Sequence, residues 1–255
     1  ASARGAAAIG VQAESGEFAA ALGFDAEAKG RQSVSIGHLS RSHSANSVAV
    51  GALANTAGSA VAVGYDAKGT GEFSVALGKG ATASNTSAIA IGASNDTVTS
   101  SAQATGVSSI SIGKGSLASS TNAIAIGKDA QAGLNNNADA LSIGSSASAR
   151  GVQAIAVGKG AQALAKDSIA IGTGNIVTGI GSAAIGDPNY VSGAGSMVYG
   201  NSNVVNSAGT YVFGSNVNNK TPGAIAAETD PAADALKYGT TAANSVYLGD
   251  YSTAS

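Results

Sequence analysis

The stretch Ala123-Ile124-Ala125-Ile126-Gly127-Lys128-Asp129-Ala130-Gln131-Ala132-Gly133 decides the fold of this chain. Isoleucine alternates with alanine at period 2 up to the glycine, the pattern of a strand with two distinct faces. Past the glycine, Ala130 and Ala132 flank Gln131, so a second, shorter strand buries one face and leaves the other to water. The glycine that closes the first strand recurs at Gly10, Gly23, Gly37, Gly51, Gly64, Gly78, Gly92, Gly113, Gly127, Gly144, Gly158, Gly172, Gly186, Gly200, Gly214 and Gly249. Most intervals are 14 residues, as from Gly113 to Gly127, and two are 13, as from Gly10 to Gly23. Two strands and two tight turns therefore make one 14-residue coil. Each coil advances about one strand spacing, ~4.8 Å, so an elongated rod is expected.

Composition agrees with stacking and with little else. Gly 36, Trp 0, 4% aromatics and 11% charged residues describe a chain poor in large core residues. The 44% hydrophobic fraction is too high for disorder, so small apolar groups must be buried by regular repetition. The net charge of −2 offers no basic footprint, and the 13 Lys+Arg fall singly, which disfavours nucleic acid. Cys 0 removes disulfides and thiolate chemistry. No apolar run reaches the ~18 residues of a membrane-spanning helix.

The first strand carries Ile or Val on one face and Ala or Ser on the other, so both faces want burial. One can line the interior of the coil. The other needs a partner surface, which further copies of the chain in a closed symmetric assembly would supply. The pairs Ile89 and Ile91, Ile124 and Ile126, Ile155 and Val157, and Ile169 and Ile171 mark this core and assembly strand. A glycine often stands seven before the next strand-ending glycine, at Gly16, Gly30, Gly71, Gly106, Gly151, Gly179 and Gly193, or six before it, at Gly58, where a corner with positive φ is expected. Asn175, Asn189 and Asn203 replace alanine three places past Gly172, Gly186 and Gly200. Stacked by the repeat, they are expected to form a ladder of hydrogen-bonded amides that fixes register.

The pattern Ser/Ala-Ile/Val-Ala-Ile/Val-Gly-x-x-Ala-x-Ala-x-Gly resembles the head repeats of the trimeric autotransporter adhesins, the YadA-like heads, over nearly the whole chain. The resemblance implies a left-handed parallel β-roll, here of about sixteen coils, with three rolls associating around the Ile/Val strand. It also implies display on the outer membrane of a Gram-negative bacterium, and binding to matrix proteins, host receptors or other bacteria. The membrane would be reached only through a stalk and anchor not in this sequence, and the expectation is an excised head. The last copy, Asn244 to Ser252, resembles the family's final turn before its neck. Residues 1–214 are accordingly read as head repeats, 215–244 as an insertion and 245–255 as the final coil. Within the insertion, Asp230-Pro231 and Gly239 bracket an expected helix of about two turns. Shorter insertions fall between Gly92 and Gly113 and between Gly127 and Gly144.

No catalytic, cofactor or metal constellation is visible. His38 and His43 lie on the turn and polar side of a coil, without a carboxylate or imidazole cluster in the sequence around them. There is no Gly-x-Ser-x-Gly elbow at a strand-to-helix turn. Gly78-Lys79-Gly80, Gly113-Lys114-Gly115 and Gly158-Lys159-Gly160 lack the spacing of a phosphate loop and read as turns. The rare aromatics Phe18, Phe24, Tyr65, Phe73, Tyr190 and Tyr238 are the candidates for ligand contact, the alternative being packing between coils. The reading is adhesion, not catalysis, with a non-binding spacer or fibre segment as the alternative.

Overall fold

The computed structural model describes residues 3–94, 100–217 and 243–249. They form an all-β parallel β-solenoid, and no α-helix occurs among them. The expected helix at Asp230 to Gly239 lies outside the described residues, as does Tyr238. Two compact units divide the chain, Ala1–Asp129 and Ala130–Ser255. In the first, the strands that end in glycine stack in chain order as one parallel sheet, from Ala7–Ile9 through Ile89–Ile91 to Ile124–Ile126. The second strands stack as another, from Glu14–Ser15 to Leu117–Ala118. The second unit repeats the plan, with first strands from Leu141–Ile143 to Val246–Leu248 and second strands from Gln131–Ala132 to Asn203–Val205.

Register follows the repeat. Val75 pairs with Ile89, Ala76 with Ala90 and Leu77 with Ile91, and Ile155, Ala156 and Val157 pair in the same way with Ile169, Ala170 and Ile171. Side chains therefore stack on their counterparts, which holds register because a slip of one residue would turn the large side chains inward. The long intervals do not break the stack: Ile89 pairs with Ile110, and Tyr211 with Val246. Between Gly127 and Gly144 the extra residues include a short 3-10 turn at Leu134–Asn136.

Size decides which face of the first strand is the interior. Two sheets joined by tight turns leave space for methyl and hydroxymethyl groups, and Ala76, Ala90, Ser111, Ala125 and Ala170 are buried while the flanking Ile and Val point outward. Inward serines bond across this narrow interior. Ser35 Oγ lies 2.8 Å from Ser40 Oγ, Ser42 Oγ 2.7 Å from Ser47 Oγ, and Ser111 Oγ 2.7 Å from Ser116 Oγ. Each pair satisfies hydroxyls that would be costly to bury alone. Toward the end of the second unit the interior widens: Val198 and Val212 replace alanine in the first strand, and Val177, Val191 and Val205 replace it in the second.

The asparagine ladder lies in these wider coils. Asn175, Asn189 and Asn203 are all buried. Asn189 Nδ2 donates to Asn175 Oδ1 at 2.9 Å, and Asn203 Nδ2 donates to Asn189 Oδ1 at 2.9 Å. The second amide hydrogen of each goes to a strand-ending carbonyl of the next coil, Gly186, Gly200 and Gly214 respectively. The ladder closes when the Val217 backbone N–H donates to Asn203 Oδ1 at 2.9 Å.

The corner glycines require a correction. Of those expected to need positive φ, only Gly58 has it, at 64°. The reason for glycine is close approach: a Cβ on Gly30 would lie 1.9 Å from the Ser44 carbonyl oxygen, and one on Gly151 1.8 Å from that of Ala165. The left-handed residue stands two places further on, at Phe18, Gln32, Phe73, Ser108 and Gln153, all with φ between 54° and 58°.

Candidate functional site

Each first strand has an outward face and two ends, an entering edge where the chain turns in from the previous second strand and a leaving edge just past the glycine. Because the coils stack in register, each of these positions becomes a file along its unit. The outward file holds Ile89, Ile91, Ile124 and Ile126 in the first unit and Ile155, Val157, Ile169 and Ile171 in the second. They are partly buried in the stack, yet Ile91 and Ile171 remain 37% and 38% exposed. Nothing among the described residues covers this apolar sheet face.

Larger residues take over the same file late in the second unit. Met197, Tyr199, Tyr211 and Phe213 are all exposed, and an apolar hollow of about 160 Å³ lies among Ile185, Met197, Tyr199 and Phe213. These aromatics occupy the positions of the Ile/Val pairs. That period was the signal that could have placed them with the assembly strand from sequence.

The candidate ligand-contact aromatics separate by edge. Phe18 and Phe73 occupy the entering edge, with φ of 54° and 57°, and are 41% and 59% exposed. Guanidinium groups of Arg4 and Arg31 lie 5.5 and 5.7 Å from the Phe18 ring centroid. Phe24 and Tyr65 occupy the leaving edge, where Phe24 stacks on His38 with centroids 5.5 Å apart. Tyr190 is in a second strand of the other unit, packed against buried Val204. The four candidates of the first unit therefore divide between its two edges rather than meeting in one pocket.

The first coils also gather charge on the outer side of the second strands. Glu27 Oε2 meets Lys29 Nζ at 3.0 Å, His43 Nε2 at 2.5 Å and Arg41 Nε at 3.8 Å, and Lys29 Nζ also reaches Glu14 Oε2 at 3.1 Å. Hydrogen bonding from Lys29, opposed by desolvation and aided by His43, holds the Glu27 carboxyl below the usual carboxylate range. The residues came together because 27 and 41, and 29 and 43, are one repeat apart. Among the described residues, no group of three or more His, Cys, Asp and Glu is placed to hold a metal ion.

Comparison with known protein families finds the YadA head domain repeat (2 copies) at residues 15–40, 28–54, 56–81, 70–95, 104–130, 136–161 and 149–175. No curated protein sequence matches the chain.

Proposed function

From the premise that this chain belongs to the YadA head domain repeat family, whose matches cover more than half of it, we propose that it is the head of a trimeric autotransporter adhesin on a bacterial outer membrane. The observation that carries the proposal is the outward apolar file of the first strands. A row of Ile and Val along a sheet, with no cover among the described residues, marks a surface built to meet a partner. Three copies arranged around that file would bury it and leave the second strands, with their Gln, Thr, Lys and Glu, to face the surroundings. Attachment to host receptors, matrix proteins or other bacteria then falls to the second strands, the turns and the insertions. Repeat proteins carry binding on such surfaces.

Binding of the purified protein to a panel of matrix proteins, epithelial receptors and bacterial surfaces tests the adhesive part. Saturable binding to at least one partner is expected. Uniform failure at micromolar concentration would overturn it in favour of a spacer. Sedimentation of the same sample tests the assembly separately.

A further inference from the structure

Two phenylalanines in the first unit are in the wrong conformation and the wrong environment for a solitary chain. Phe18 and Phe73 follow the same Gly-Glu pair, and both adopt the left-handed backbone that bulky residues avoid. Polar residues or glycine fill the equivalent position elsewhere, as at Gln32, Asn46, Asn122, Asp167 and Gly181. Both rings are also substantially exposed. Packing between coils covers Phe18 only in part, through the Arg4 and Arg31 guanidinium groups, and leaves both rings exposed. A residue that is strained by its backbone and exposed by its side chain is best explained by something that covers it.

We propose that the contact between copies extends past the first-strand faces onto the edges, with Phe18 and Phe73 clasping the leaving edge of the neighbouring protomer. The inference rests on the trimeric reading and adds a partner surface to it. Strands lie across the axis of a cyclic assembly, so the entering edge of one copy abuts the leaving edge of the next at the same coil. At the coil closed by Gly23, that places Phe18 opposite the Phe24 of the next copy, a contact between two aromatics. At the coil closed by Gly78, Glu72 and Phe73 come opposite Lys79, which offers the acid an ion pair and the ring a cation. Among the described residues, neither Glu72 nor Lys79 has an ion-pair partner within its own chain.

The chain has Cys 0, so paired cysteines give a clean readout. Within one chain the six residues from position 18 to 24 run across a strand and span ~20 Å. A disulfide needs Cα atoms within ~7 Å, so it can form only between copies. Mild oxidation of the full chain carrying F18C/F24C, and separately E72C/K79C, is expected to give covalent trimers on non-reducing gels. A second variant, F18N/F73N, replaces each ring with a residue that tolerates this backbone. Its melting temperature is expected to fall by several degrees, whereas relief of strain on a merely exposed ring would leave it unchanged or raise it. A wild type that sediments as a trimer while neither cysteine pair cross-links, or an F18N/F73N variant that melts no lower, would overturn the clasp and leave the trimer standing. A monomeric wild type would remove the trimer and the clasp with it.

Discussion

At the scale of single residues, the chain's rarest substitutions into its own repeat have the clearest physical consequences. Replacing alanine with asparagine inside a coil brings an amide into a space with little water, and the cost is offset only because the next coil does the same. Asn189 is the middle member: its Nδ2 serves Asn175 and Gly200, and its Oδ1 serves the side-chain and backbone N–H of Asn203. Asn189→Ala leaves buried groups on both sides without partners, and is expected to destabilise the protein by about 1 to 3 kcal/mol. Thermal or denaturant unfolding checks this, and an unchanged midpoint would refute the ladder as a stabilising element. The position of the ladder was legible in the sequence because a period of 14 stacks Asn175, Asn189 and Asn203. The reason for the corner glycines was not. A glycine needed for positive φ and one needed for close approach look alike in a sequence, and only the 1.8 Å from a Gly151 Cβ to the Ala165 oxygen tells them apart.

At the scale of the element, the first strand has one tolerant face and one intolerant face. Alternation made the strand readable, but it could not say which face was inside, since Ala and Ile are both apolar. The thinness of the coil decides it, because Ala170 is completely buried and Ile169 is not. Ala170→Asp places a charge where neither water nor a partner reaches, at a cost of several kcal/mol, and is expected to abolish folding. Ile169→Asp is expected to leave a folded chain, seen by circular dichroism, that no longer assembles. If Ile169→Asp kept the native sedimentation coefficient, the outward face would not be an interface. The second strands give a pH prediction. Folding lowers the Glu27 carboxyl below its ordinary value, so its contribution is present above the ordinary carboxylate range and is lost as the pH falls through the lowered value. Glu27→Gln should therefore melt lower than wild type at pH 7 and equal to it in strong acid. The difference should be small, because Lys29 and His43 are largely solvated. A gap that persists at low pH would show that the loss has another origin.

At the scale of the whole molecule, assembly is the expected consequence of having an apolar sheet face and little charge to keep it dissolved. Only 11% of the residues are charged and the net charge is −2, so repulsion between copies is weak. The outward file of the first unit includes exposed Ile91, and that of the second holds exposed Met197, Tyr199, Tyr211, Phe213, Val246 and Leu248. A parallel sheet is ordinarily covered on both faces, and here the inner sheet covers one and none of the described residues covers the other. The sequence pattern raises the expectation of a partner; the number three comes from the family, since the pattern alone would suit any closed ring. Analytical ultracentrifugation at tens of micromolar is therefore expected to show a single trimeric species. Its coefficient should hardly change between low and high salt, because an interface dominated by Ile, Val and aromatic side chains is not weakened by screening. A monodisperse monomer would contradict the assembly outright. A trimer that dissociated as salt was raised would instead place its main stabilisation in the few edge charges, such as Glu72 and Lys79, and the apolar file would have to find its cover elsewhere.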